Sequence, residues 1–135
     1  MLPSLLLPAV VALTLAHPAA AAETVDTQGL IAVPVEVMNS GTATILCQAE
    51  IAHWFGTDLA SIEPGERVSL DLHFDTLSGT WATMNTRGEA LPVERAWCGL
   101  KGRTYETRWN LTLGHDKPQA RQISCRDEGA GLDCR

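Results

Sequence analysis

Two stretches of alternating apolar and polar residues organise the chain. In Ala43–Ala52, Ile45, Cys47, Ala49 and Ile51 fall on one parity, with Gln48 and Glu50 on the other. In Arg67–Asp75, Val68, Leu70, Leu72 and Phe74 alternate with Arg67, Ser69, Asp71, His73 and Asp75. A period of two is the mark of a strand with one buried face. The pattern predicts strands over 44–52 and 67–75, joined by a bend over 55–63 that ends at Pro64-Gly65. Ala49–Phe55 carries a weaker helical alternative, because Ala-Glu-Ile-Ala favours helix slightly.

The remaining elements follow the same logic. Gly29–Met38 is rich in β-branched residues, but Pro34 lacks a donor and predicts an edge strand. Thr80–Met84 is a short strand followed by the turn residues Asn85–Gly88. Val93–Cys98 and Arg103–Leu113 predict a hairpin, with Tyr105, Thr107, Trp109, Leu111 and Leu113 on one face of its second arm. Ile123–Cys125 is a last short strand within a polar tail, 114–135. About seven short strands with turn signals near every tenth residue predict an all-β, small antiparallel β-sandwich.

Residues 1–22 stand apart. Leu2–Ala16 is apolar except for Ser4 and Thr14, and Ala19–Ala22 offers small residues at the spacing of a leader cleavage site. The expectation is a cleaved signal peptide over 1–22 and a single domain over 23–135. No Lys or Arg lies in the leader, so the α-amino group is its only positive charge. The apolar run, about 15 residues and broken by Pro3 and Pro8, is too short for the ~20 that a bilayer span needs. No stable membrane insertion is expected once the leader is removed.

Export changes the reading of the four cysteines. An even number of Cys behind a leader implies two disulfides. Three pairings are possible; the expected one is Cys47–Cys98 with Cys125–Cys134. A cysteine in the second strand paired with one in a late strand resembles immunoglobulin-like domains at the level of architecture. Trp97 beside the second cysteine, and Ala96 two residues before Cys98, depart from that family's pattern of aromatic residues.

Charge narrows the partners. Ten Lys and Arg against 16 Asp and Glu give a net charge of −6, which disfavours nucleic acid and anionic lipid. An Ala-rich leader and eight Arg among ten basic residues suggest a bacterial source, hence a periplasmic or secreted protein. Under that reading the sequon Asn110-Leu111-Thr112 carries no glycan.

No catalytic signature appears: Gly-x-Ser-x-Gly, Ser-x-x-Lys, His-Glu-x-x-His and Cys-x-x-Cys are all absent. No enzyme activity and no cofactor are expected. Two groups of residues remain. His53, Trp54, Trp97 and Arg95 combine aromatic rings with a guanidinium, the mix found at binding hot spots. Asp71, His73 and Asp75 share one face of a predicted strand about 7 Å apart, close enough for two of them to share a divalent metal ion, with His53 or His115 to complete the set. The expected function is an exported, non-catalytic binding or accessory module for a protein or envelope component. The alternative is a small periplasmic divalent-metal-binding protein.

Overall fold

The computed structural model describes residues 24–52, 55–116 and 118–135. The leader, and with it the predicted cleavage site, lies outside the described residues, as do His53, Trp54 and Lys117.

The described chain is all-β and forms eleven strands: β1 (Leu30–Ala32), β2 (Val35–Asn39), β3 (Ile45–Ile51), β4 (Phe55–Ile62), β5 (Arg67–Leu70), β6 (His73–Asp75), β7 (Thr80–Met84), β8 (Ala90–Leu100), β9 (Trp109–Leu111), β10 (Arg121–Glu128) and β11 (Gly131–Cys134). They build two sheets. One runs β1-β6-β7-β8-β3-β4, with β9 also paired to β8; the other runs β11-β10-β2-β5. The alternation read from sequence is realised at β3, where residues 45, 47, 49 and 51 are buried and those between are half-buried. Residues of both sheets share one hydrophobic cluster, with Val35, Val37, Ile45, Ile51, Ile62, Leu70 and Leu72 at its centre.

A single antiparallel ribbon crosses between the sheets. β1 pairs with β6 through Ala32↔His73, and β2 pairs with β5 through Val35↔Leu70. The register is continuous across the gap, where the Val33 N–H donates to the Leu72 carbonyl at 2.9 Å. Pro34 sits at this crossing, where no ladder donor is asked of it. The predicted edge strand over 29–38 is therefore two strands. β1 is an edge, but β2 lies inside its sheet between β10 and β5. The predicted strand over 67–75 likewise divides at Asp71-Leu72, where the Leu72 N–H turns back to the Leu70 carbonyl.

Other expectations need correction. Residues 55–62 form a strand, β4, rather than a bend. β4 carries an irregularity: Cys47 faces Ala60 and Gln48 faces Asp58, so Leu59 is an extra residue. The arm over 103–113 contracts to the three residues of β9, and 101–107 is a compact turn. Pairing is not wholly antiparallel, because β10 and β2 run parallel. The segment beyond 114 is no polar tail either: β10 and β11 bury Ile123, Cys125, Leu132 and Cys134.

Both disulfides join directly opposed residues of antiparallel neighbours. Cys47 pairs with Cys98 across β3 and β8, and Cys125 with Cys134 across β10 and β11. Each clamps strands within one sheet. The bridge of immunoglobulin domains instead joins the two sheets.

Asn39 is the one fully buried side-chain amide among the described residues. Its Nδ2 donates to the Ala43 carbonyl at 2.8 Å and to the Ile62 carbonyl at 2.9 Å, while Oδ1 accepts from the Gly41 N–H at 3.0 Å. Both donors and the oxygen are engaged, which is what makes a buried amide tolerable. Its work is to fasten the 39–44 loop to the end of β4.

Candidate functional site

The aromatic and guanidinium residues singled out by sequence do not form one exposed patch. Trp97 lies on the outer parity of β8, yet it is only 8% exposed. The turn after β8 folds back over it. Gly99 permits this, since a Cβ there would stand 2.0 Å from the Thr104 carbonyl oxygen. Thr107 locks the turn in place: its hydroxyl accepts from the Leu100 N–H at 2.8 Å and donates to the Arg103 carbonyl at 2.7 Å. Tyr105 meets Trp97 edge-to-face at 5.7 Å between ring centroids. The Arg108 guanidinium covers the Tyr105 ring at 3.9 Å, a cation–π contact. Trp97 Nε1 is buried and has no hydrogen-bond partner. The ring visible from solvent is thus Tyr105, 54% exposed, which sequence parity placed on one face with Thr107, Trp109, Leu111 and Leu113.

Arg95 is exposed and engaged. Its Nε donates to Glu50 Oε2 at 3.0 Å and its Nη2 contacts the same oxygen. Glu50 also faces Gly56 of β4, so this ion pair lies beside the β3–β4 turn. The turn opens from Ala52, which takes a positive φ of 42°. On its far side stands Phe55, 46% exposed at the first position of β4. Among the described strands β4 pairs with β3 alone, so its other edge is open apart from the Ile62 carbonyl that Asn39 occupies. Of the four predicted binding residues, Arg95 is at this surface, Trp97 is buried beneath the 101–108 turn, and His53 and Trp54 lie outside the described residues. Phe55 and Glu50 join the site; the only sequence signal for Phe55 was its place in His53-Trp54-Phe55.

The predicted metal set is also divided. Asp71 and His73 stay together, with Asp71 Oδ1 3.4 Å from His73 Nδ1. Asp71 Oδ2 accepts from the Met84 N–H at 3.1 Å. Asp75 is turned into the β6–β7 turn, where its carboxylate accepts from the Ser78 hydroxyl and from the Leu77 N–H at 3.0 Å. Those bonds, the Ser78 hydroxyl first, hold the Asp75 carboxyl below the usual carboxylate range. His115 is elsewhere, its Nδ1 donating to the Gly79 carbonyl at 2.9 Å. No group of three His, Cys, Asp or Glu is placed to hold a metal ion among the described residues.

Two other carboxylates are held below their ordinary range by hydrogen bonds. Asp127 accepts from the Thr42 N–H at 2.8 Å and the Thr42 hydroxyl at 3.1 Å. Glu89 accepts from the Asn85 amide at 2.7 Å, with Arg87 adding its charge. Both fasten loops and carry no visible chemistry.

Comparison with known proteins finds no matching family model and no significantly similar curated protein.

Proposed function

We propose that this chain is an exported, non-catalytic binding module of immunoglobulin-like sandwich architecture, delivered by a signal peptide over 1–22 to the periplasm or the medium. It contacts a protein or envelope component through the β3–β4 turn, Arg95 and the open edge of β4. The observation that carries the reading is Phe55: a large apolar ring left in solvent at the first position of the edge strand β4, one register step from Glu50 and on the opposite face of the sheet from the Glu50–Arg95 pair. An incoming extended segment could add to that edge by main-chain hydrogen bonds, with Phe55 and Arg95 supplying side-chain selectivity. His53 and Trp54 belong to the same stretch of sequence and extend the surface in this reading. Two disulfides and no free thiol among the described residues suit an oxidising compartment. No helix among the described residues is long and apolar enough to cross a membrane.

Position-specific photo-crosslinking in exporting cells tests it. A crosslinker replacing Phe55 or Thr57 is expected to yield one discrete adduct that the same crosslinker at Arg87 does not. Equal adducts from all three positions, or none from Phe55 and Thr57, would contradict the reading.

The metal-binding alternative rests on the Asp71–His73 pair. Metal found in protein purified from the periplasm, and lost in His73→Ala, would favour it over the first.

A further inference from the structure

The turn after β8 is rich in cations that meet no acid among the described residues. Arg67, Arg87, Arg95, Arg126 and Arg135 each sit against a carboxylate. The described Lys and Arg without such a pair are Lys101, Arg103, Arg108 and Arg121. All but Arg121 lie within Lys101–Arg108, the turn that folds back over Trp97. The same turn carries one acid, Glu106, which is exposed and bridges to none of them. A chain of net charge −6 thus gathers charge of the opposite sign in one place. Repulsion among those cations costs stability, and a local conflict of this kind is expected where a partner relieves it.

The turn is held in shape. The Lys101 N–H donates to the Thr44 carbonyl at 3.0 Å, the Arg103 N–H to the Leu100 carbonyl at 3.0 Å and the Thr107 N–H to the Arg103 carbonyl at 3.1 Å. From the other sheet, the Leu132 N–H donates to the Thr107 carbonyl at 3.0 Å. A backbone fixed at these points loses little freedom on binding.

The side chains differ in how far they are engaged. Arg103 is exposed, and its guanidinium has no partner among the described residues. Lys101 Nζ reaches Ser61 Oγ at 3.3 Å, at the long end of the hydrogen-bond range. Arg108 lies over the Tyr105 ring and gives Nη1 to the Tyr105 carbonyl at 2.7 Å. Its Nε and Nη2 have no acceptor among the described residues, so it still offers a two-donor edge that fits a carboxylate. Tyr105 sets a solvent-facing aromatic ring among these charges.

Sign and size choose the occupant. Cations without counter-ions call for carboxylates or other anions. An anionic membrane or a nucleic-acid duplex is extended, so it would also face the acidic remainder of the chain within a Debye length of about 8 Å. A short acidic segment meets the turn alone.

We propose that the 101–108 turn docks a short acidic segment of a partner protein, with carboxylates on Arg103, Arg108 and Lys101 around the Tyr105 ring. Lys101 meets β4 at Ser61, near the end of that strand opposite Phe55. This surface is therefore separate from the one proposed above, and neither proposal depends on the other.

The test uses the mature chain, with an oligoglutamate peptide as probe and oligoglutamine of the same length as its uncharged counterpart. In amide-resolved NMR titrations, oligoglutamate is expected to give saturable shifts at Arg103, Tyr105, Arg108 and the Trp97 indole N–H. Its affinity is expected to fall as salt rises from about 0.1 to about 1 M. Oligoglutamine is expected to give no saturable shift. Arg103→Glu is the informative variant, because that side chain has no partner in the fold to lose. It is expected to weaken oligoglutamate binding about tenfold, since charge reversal removes an attraction and adds a repulsion. Arg87→Glu, in another turn, is expected to change it by less than about twofold. Absence of saturable shifts in the turn, equal binding of oligoglutamine, or equal effects of the two substitutions would each overturn the proposal. Tighter binding to phosphatidylglycerol vesicles than to oligoglutamate would also overturn it and assign the turn to a lipid surface. The two-probe comparison on the unaltered chain decides the matter should Arg103→Glu fail to fold.

Discussion

Cys47 and Cys98 stand directly opposite each other on β3 and β8, with their Cα atoms 4.0 Å apart. The bond closes a loop of 51 residues between strands that are already neighbours. Its contribution is therefore to the unfolded chain more than to the native contacts. Loop-closure entropy alone gives about 4 kcal/mol for that bridge and about 2.5 kcal/mol for the nine-residue Cys125–Cys134 loop. Replacing both members of each pair by Ala, and measuring urea unfolding, is expected to reproduce this order. A larger loss from the short loop would contradict it.

Asn39 gives a second prediction. Asn39→Ala leaves the carbonyls of Ala43 and Ile62 and the N–H of Gly41 without their partner. Each unsatisfied buried group costs about 1–3 kcal/mol, part of which water recovers because two of the three bonds are only partly buried. A loss of about 3 kcal/mol in denaturant unfolding is expected; a loss under about 1 kcal/mol would mean that the loop is held by something else.

The turn that covers Trp97 depends on Gly99. In Gly99→Ala the new methyl would press on the backbone of Thr104, which lies on the turn itself and not at the end of a flexible side chain. The 101–108 turn must lift, giving up the Thr107 bonds to Leu100 and Arg103. Overpacking of this kind costs about 1–3 kcal/mol. Hydrogen exchange localises it: faster exchange is expected at Leu100 and Thr107 with little change in β10. Unaltered protection at Leu100 would show that the turn is not fixed in this way.

Acid sensitivity follows from Asp75, Glu89 and Asp127, all held below their ordinary range. A depressed folded-state value stabilises above the unfolded-state value and is lost as pH falls through the folded one. Unfolded Asp and Glu titrate near about 3.9 and 4.3. The contribution is thus complete above about pH 5 and disappears in the acid range below about pH 4. Asp127→Asn is expected to lower stability at neutral pH and to converge on the unaltered chain as the pH falls through the depressed folded-state value. A difference that stays constant with pH would assign Asp127 a purely steric role.

How far the sequence could be read depends on whether parity survived folding. At Ile45–Ile51 it did, because β3 is flanked on both edges and the shared core lies against one face. Pro34 marked a discontinuity correctly but not its kind: a strand that changes sheets looks like an edge strand in sequence. Phe55–Ile62 was missed because the extra residue at Leu59 breaks the period of two. Trp97 has outward parity and is nevertheless buried, since a turn reached through Gly99 covers it, and alternation carries no information about what folds over a sheet. The Asp71, His73 and Asp75 set was drawn on one unbroken strand. The break at Leu72 and the Ser78 bond to Asp75 are tertiary and turn effects that spacing does not encode. The cysteine pairing was legible as one of three choices, and the direct opposition of both pairs was not.

The most direct measurement is a disulfide map of the protein recovered without reduction from exporting cells. Cleavage after Arg separates all four cysteines, because Arg67, Arg87 and Arg95 lie between Cys47 and Cys98, Arg103, Arg108 and Arg121 between Cys98 and Cys125, and Arg126 between Cys125 and Cys134. The two-sheet arrangement predicts linked peptides carrying Cys47 with Cys98 and Cys125 with Cys134, and no others. Crossed pairs would contradict the sheet register, and free thiols in the exported protein would contradict the oxidising compartment that the binding role assumes.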